Sequence, residues 1–153
     1  MTVTGNKKLV RDFTREVLDK GHLDAADHYL APDFFNHVTG ETGIEAFKDV
    51  IRFVRTFLNM PSIVDDIIAE GDKVALFLTA RGLHSEPIVL QGTCYTPTGK
   101  PFASKQVHLF RARDGLLTEH WSVRNDLTML LPLGIVQYTT PAGAAERETV
   151  LQR

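Results

Sequence analysis

The spacing of apolar residues changes once along this chain, close to Pro61. Before Pro61, apolar residues recur at intervals of three and four, which is the period of one buried face of an α-helix. Three helices are predicted there, over residues 6–20, 23–30 and 43–58. A glycine or a proline follows each of these segments, as expected where a helix ends.

After Pro61, apolar and polar residues alternate, and this period of two predicts β-strands. Strands are expected over residues 62–70, 73–81, 88–91, 102–111 and 116–126, with a short extended segment over 33–38 and a possible helical turn at 127–133. Helices followed by antiparallel strands predict an α+β fold. In this fold the three N-terminal helices cover one face of a curved, mostly antiparallel sheet and enclose a hydrophobic pocket.

The composition narrows the functional classes. The 153 residues suit one domain, which we expect over residues 1–134, with a tail at 135–153 that is partly disordered or packs on a partner subunit. The net charge of −2 and the pI near 6.3 argue against a nucleic-acid partner. Without an apolar run that spans a membrane, and without a signal-peptide pattern, a cytoplasmic protein is expected. The single cysteine excludes an intramolecular disulfide.

Candidate chemistry is concentrated in the last predicted strand. Alternation divides its end into one set of residues, Trp121, Val123 and Asn125, and a second set, His120, Ser122, Arg124 and Asp126. The first set is the more apolar and is expected to face the interior, with Trp121 as core or cavity wall. Asn125 then either binds a substrate carbonyl or caps the next turn. Asp126 is either a base with a raised pKa or a solvated helix cap.

Further candidates lie on other elements. His108 alternates with apolar residues on a central strand and is either a general base or a satisfied core histidine. Asn36 and His37 either line the pocket or fix their loop, and His120 either orients a substrate or contacts another subunit. Tyr29 could place its hydroxyl at the pocket, although packing explains its position. The histidines lack metal-site spacings such as HxH or HExxH, so no metal and no cofactor are expected.

At this point the sequence resembles a known family. The similar segments are KLVRDF at 8–13, LAPDFFNH at 30–37, IIAEGDKV at 67–74, PTGKP at 97–101, FRARDG at 110–115, and the stretch from EHW at 119–121 to Gly134. Together they resemble the SnoaL-like polyketide cyclases of the nuclear transport factor 2-like superfamily. The resemblance implies an α+β cone with a hydrophobic pocket, in a homodimer that packs through the sheet.

The resemblance also implies a chemistry. In the cyclases, an aspartate at the end of the last strand does acid–base work in an aldol ring closure without metal or cofactor. Alignment of Trp121 and the following segment places that aspartate at Asn125, and an amide cannot exchange a proton near neutral pH. Asp126 is adjacent, and a β-bulge would exchange the faces of the two residues.

Three functions remain open at the level of sequence. The first is an enzyme in which His108, His37 or Asp126 moves a proton of a small hydrophobic carbonyl compound and Asn125 steadies the oxyanion. The second is a non-catalytic small-molecule-binding module of the same fold. The third is a related dehydratase, isomerase or epoxide hydrolase, which would need a pocket carboxylate or a His–Asp pair.

Overall fold

The computed structural model of the chain describes residues 2–90, 92–137 and 139. Its helices are α1 (Val3–Phe13), α2 (Ile44–Arg55) and α3 (Asp126–Leu133). A π-helical segment, Thr14–Asp19, continues α1, and a 3-10 helix, Leu23–His28, follows it. The three predicted N-terminal helices therefore exist, but the second is a 3-10 helix and ends before Pro32. None of the helices in the described part of the chain has the length and apolar character needed to cross a membrane.

Six strands form the main sheet, and two more form a separate hairpin. In chain order the strands are β1 (Leu30–Asn36), β2 (Glu41–Thr42), β3 (Met60–Glu70), β4 (Lys73–Leu83), β5 (Ile88–Leu90), β6 (Thr93–Tyr95), β7 (Pro101–Arg113) and β8 (Leu116–Arg124). The order across the sheet is β2-β1-β8-β7-β4-β3, and β5 pairs with β6. Only the β1–β8 pair is parallel among these pairings. The predicted α+β fold with a curved, mostly antiparallel sheet is confirmed.

The core lies between the early helices and the inner face of the sheet. Phe13 on α1 is fully buried, with ring centroids 6.2 Å from Phe47 on α2 and 5.8 Å from Phe110 on β7. Phe34 on β1 reaches Phe47 at 4.8 Å. Truncation of one such ring to alanine typically costs about 3–5 kcal/mol, so these contacts hold α1 and α2 against the sheet.

The helix α3 closes one end of the sheet. It has eight residues, rather than the single turn considered from the sequence, and Gly134 ends it with a left-handed backbone (φ 75°). Its buried residues Met129 and Leu133 share a second apolar cluster with Ile88 of β5 and Phe102 of β7. The division into a domain over 1–134 and a tail stays a prediction, and residues 138 and 140–153 of that tail lie outside the described residues. Gln91, the predicted end of the strand over 88–91, does so as well.

A bulge in β8 reverses one prediction. Leu117 pairs with Ala112 and Glu119 pairs with Arg111, so Thr118 is an extra residue on β8. One extra residue exchanges the faces of every side chain beyond it. His120 is therefore buried, whereas Val123 is 76% exposed and Asn125 is exposed. The expectation that Trp121, Val123 and Asn125 face the interior is wrong.

Candidate functional site

A cavity of about 120 Å³ lies between α2 and the inner face of β4, β7 and β8. Much of its wall is apolar, from Phe47, Val50, Ile51, Val54, Leu58, Leu78, Ala80 and Phe110. The polar part of the wall consists of Asn36, Ser62, Gln106, His108, His120, Ser122 and four charged residues. Exposed side chains of Val38, Met60 and Arg124 belong to the same lining, and they mark the open end, which we call the mouth.

Four polar side chains form a continuous hydrogen-bonded row in this wall, which we call the histidine chain. His108 and His120 are adjacent across β7 and β8, with Nδ1 of His108 2.9 Å from Nε2 of His120. The outer nitrogen of His108, Nε2, lies 3.0 Å from Oε1 of Gln106. The other nitrogen of His120, Nδ1, lies 3.1 Å from Oδ1 of Asn36. The chain therefore runs from Gln106 through both imidazoles to Asn36 on the parallel strand β1.

The positions of the protons in the histidine chain follow from the hydrogen bonds of Asn36, at one end of the chain. The Val38 N–H donates to Oδ1 of Asn36 at 3.1 Å, so this oxygen is an acceptor and His120 must donate to it through Nδ1–H. A neutral His120 then accepts at Nε2 from the Nδ1–H of His108. A neutral His108 consequently keeps its lone pair on Nε2. Gln106 can present its NH2 group to this lone pair, or its oxygen once Nε2 has gained a proton.

Burial keeps both imidazoles neutral. It lowers the pKa of His108 to about 4, and the nearby charge of Arg124 acts in the same direction. Burial, followed by the charges of His108 and His37, places the pKa of His120 well below its ordinary value. His120 is 5% exposed, whereas the accessible part of the His108 ring contributes to the cavity wall. At neutral pH the His108 ring is therefore neutral and is held by two hydrogen-bonded neighbours, His120 and Gln106, while Asn36 fixes His120 in turn.

Asn36 adds a free donor to the same wall. Its side chain is 2% exposed and lines the cavity. Its Oδ1 accepts two hydrogen bonds, but its Nδ2 has no partner among the described residues. A buried N–H group without a partner costs about 1–3 kcal/mol. A ligand oxygen would remove that cost after a small movement that exposes this nitrogen, which has almost no accessible surface. The donor and the basic nitrogen of His108 thus lie in one wall.

The structure separates the other residues singled out from the sequence. Asn125 is exposed and Asp126 is half-buried at the start of α3, where it pairs with Arg124 at 3.3 Å; neither lines the cavity. Tyr29 packs against Phe13 in the core and also lies outside the cavity wall. Of the candidates, Asn36, His108 and His120 are thus brought together.

His37 and Trp121 lie on the opposite, outer face of the sheet. Their rings stack with centroids 4.0 Å apart and planes at 13°, and Nε2 of His37 lies 2.8 Å from Oε2 of Glu119. Arg111 also pairs with Glu119 and lies 5.7 Å from the Trp121 ring. Hydrogen bonding to His37, together with the Arg111 charge, lowers the pKa of Glu119. This group is a second cluster, distinct from the cavity.

Gln106, Ser122 and Arg124 were not among the sequence candidates for the site. Gln106 could have been found, because it shares the alternating inner row of His108 and Phe110. Ser122 and Arg124 were placed on the outer face, since the bulge at Thr118 leaves no mark in the hydrophobic pattern. Within the described residues, no group of three or more His, Cys, Asp or Glu side chains could hold a metal ion.

Comparison with known proteins gives a consistent result. The family model described as SnoaL-like polyketide cyclase matches residues 8–133. The nogalonic acid methyl ester cyclase of Streptomyces nogalater is 31% identical over 106 residues, which are 65% of this chain and 76% of that protein.

Solved structures agree with that match. IdmH from Streptomyces antibioticus is 31% identical, with a TM-score of 0.71 over 84% of this chain and 98% of its own. TsrD from Streptomyces laurentii is 25% identical, with a TM-score of 0.76 over 89% of this chain and 99% of its own. The extent of these matches covers nearly all of the described fold. The chain therefore belongs to the SnoaL-like polyketide cyclase family.

Proposed function

We propose that this chain binds a small hydrophobic carbonyl compound in the cavity and catalyses a cofactor-free acid–base reaction on it, an aldol-type cyclisation or an isomerisation. The observation that carries this proposal is the position of His108, which the histidine chain fixes in the wall of an apolar cavity with Nε2 as its outer nitrogen. The relative named as a nogalonic acid methyl ester cyclase supports a polyketide-like compound as the substrate class.

The proposed reaction begins at a carbon next to a carbonyl group. Nε2 of His108 takes the proton from this carbon, and the electron pair of the C–H bond forms an enolate. Nδ2 of Asn36 donates to the enolate oxygen, which is the role that an oxyanion donor plays in such steps. In a cyclisation, the enolate carbon attacks a second carbonyl of the same molecule and forms a C–C bond. The resulting alkoxide takes the proton back from His108.

The pKa of His108, about 4, keeps the ring neutral but makes it a weak base, so proton abstraction depends on the charge that develops on the substrate. With the cavity empty, the ring is neutral and ready to accept a proton. Once the enolate forms, its negative charge lies close to the imidazolium and favours the charged ring. His120 and Asn36 then act as positioning residues, because they hold Nδ1 of His108 protonated and leave Nε2 as the only basic nitrogen of that ring.

The size of the cavity sets how the compound binds. A volume of about 120 Å³ is smaller than the several hundred Å³ typical of sites that enclose a drug-sized ligand. A compound of polyketide size would therefore place its reacting part beside His108 and extend its remainder through the mouth.

The test uses nogalonic acid methyl ester as the substrate, in deuterated buffer. We expect ring-closed product, and deuterium at the carbon next to the carbonyl in recovered substrate. Mass spectrometry of product and substrate measures both. If the wild-type protein produces neither signal with this ester, with the corresponding free acid or with other polyketides in either form, the enzymatic proposal is wrong.

A binding module without catalysis is the second candidate, and one observation favours it. The cavity-facing residues at the end of β8 are His120, Ser122 and Arg124, so this strand supplies no carboxylate to the site. Saturable binding of an apolar carbonyl compound that is recovered unchanged would support this candidate. A dehydratase or an epoxide hydrolase would need a pocket carboxylate or a His–Asp pair. The ring nitrogens of His108 contact His120 and Gln106, and the carboxylate residue among the described cavity lining is Asp19, which accepts hydrogen bonds from Ser62.

We also propose that the outer face of the sheet packs against a second copy of the chain. Large apolar side chains are exposed there, including Val123 (76%), Ile68 (52%), Ile63 (47%) and Phe77 (37%). Such a patch on a sheet is typical of an interaction surface. Sedimentation velocity should show a dimer that Val123→Asp dissociates. Val89→Asp, a matched change at an exposed valine of the β5–β6 hairpin, should leave the dimer intact. A monomeric wild-type protein would contradict the proposal.

A further inference from the structure

The lining of the cavity carries a net positive charge. Among the described residues that line the cavity, the charged side chains are Arg55, Arg81, Arg124 and Asp19. With neutral histidines, this is three positive charges against one negative charge. The remainder of the wall is largely apolar.

Little in the part of the chain that the structure describes neutralises these arginines. Arg55 donates to the main-chain oxygens of Leu18 and Asp19, and Arg81 donates to the main-chain oxygen of Pro61. Carbonyl oxygens satisfy the hydrogen-bonding groups of a guanidinium, but they leave its net charge in place.

Two carboxylates lie close to these arginines, and neither cancels the positive charge of all three. The carboxylate of Asp19 accepts hydrogen bonds from the N–H and the hydroxyl of Ser62. Arg124 has one contact to a carboxylate, at 3.3 Å from Asp126, and both side chains are about 40% exposed. An exposed ion pair of this kind contributes little, and most of the five N–H donors of Arg124 remain for another acceptor.

The sheet register places Arg124 at a defined distance from His108. Arg124 is opposite Gln106, and Ser122 is opposite His108, so the two pairs are consecutive inward-facing rows. Two residues along a strand span about 7 Å. At this separation the positive charge of Arg124 contributes to lowering the pKa of His108. A molecule entering from the mouth therefore passes Arg124 before it reaches Nε2 of His108.

We propose that the natural ligand carries a carboxylate, which pairs with Arg124 at the mouth while an apolar body fills the cavity as far as His108. Arg55 and Arg81 add to the attraction without contacting the ligand. The inference rests on the proposed function for the location of the ligand, but not for catalysis. It makes Arg124 a specificity-determining residue that favours an acid over the corresponding neutral ester.

The test compares two probes that differ only in charge, 2-naphthoate and methyl 2-naphthoate, by isothermal titration calorimetry at pH 7.5. A charge-assisted, bidentate contact with Arg124 should make the acid bind roughly tenfold more tightly than the ester. Arg124→Gln should remove this preference and leave the affinity for the ester unchanged. Arg113→Gln, which removes the same charge at an exposed residue at the end of β7, should keep the preference.

Other results would overturn the inference. Equal affinity for acid and ester, a preference that survives Arg124→Gln, an equal loss in Arg113→Gln, or no binding of either probe would each do so. Failure of the catalytic proposal is a separate result, because the preference for 2-naphthoate is measured by binding to the wild-type protein and needs no turnover.

Discussion

Histidine side chains on the two faces of the sheet have different hydrogen-bond partners. On the inner face, His108 and His120 bond to each other and to the amides Gln106 and Asn36, without a carboxylate. On the outer face, His37 bonds to Glu119, beside Arg111. The inner pair is therefore held neutral and can accept a proton, whereas the outer histidine is tied to an acid. The comparison teaches that the neighbours of a histidine, more than its residue type, decide whether it suits catalysis or structure.

The largest expected difference between the faces is in turnover. His108→Gln should lower the rate of the proposed reaction about 10²–10⁴-fold, the usual worth of a positioned acid–base group. His37→Gln should change it less than about threefold, since His37 lies outside the cavity wall. Initial rates at saturating substrate measure both, with thermal unfolding as the control for folding. Similar losses in both variants would remove the distinction between the faces.

The faces should also differ in how stability depends on pH. The folded-state pKa of His108, about 4, is below its ordinary 6.5, so the unfolded chain binds more protons in between. Its contribution to the free energy of unfolding is complete above about pH 6.5 and is lost as the pH falls towards 4, on the order of 3 kcal/mol in all. Urea unfolding at several pH values should show this loss in the wild-type protein and in His37→Gln. The loss of unfolding free energy should be smaller in His108→Gln. An unchanged loss in that variant would contradict the assignment of this pH dependence to His108.

A substitution can place a carboxylate beside His108 on the inner face, as Glu119 lies beside His37 on the outer face. Ser122 is opposite His108 on β8 and lines the cavity. Ser122→Asp should raise the pKa of His108 by about one to three units, because the new carboxylate favours the charged imidazole. A proton NMR titration of the histidine rings measures the shift. Ser122→Asn, which has the same shape without the charge, should leave the pKa near that of the wild-type protein, and equal shifts in both would exclude an electrostatic cause.

The smallest effect is expected from the outer ion pairs. Glu119 is partly exposed, and its lowered pKa gives a contribution to stability that is present above its ordinary value of 4.5 and is lost as the pH falls below it. Glu119→Gln should cost less than about 1 kcal/mol in unfolding free energy at pH 7. Chemical denaturation measures it, and Glu45→Gln on α2 gives a matched surface comparison. A loss of several kcal/mol of unfolding free energy would show that the outer cluster contributes more to stability than exposed ion pairs do.

The sequence predicts the fold better than the site, for a physical reason. Helical spacing up to Pro61 and alternation after it follow from burial, which acts on many residues at once. The candidate site depends on the contacts of single residues. His108 could be singled out from the alternating pattern of β7, but its partners Gln106 and His120 depend on the pairing of β7 with β8. Asn125 was misplaced because one unpaired residue, Thr118, carries no hydrophobic signal.

Thr118 also determines which side chains of β8 point inward. Odd-numbered side chains point inward before it, as Leu117 does, and even-numbered ones point inward after it, as His120 does. Deletion of one residue at this place would turn the side chain of Trp121 inward and that of His120 outward. It would reverse the face of the later side chains of β8 in the same way and would leave the composition almost unchanged. A sequence comparison that gains or loses one position between Leu117 and His120 would therefore match a ligand-facing residue of one protein with a partner-facing residue of another.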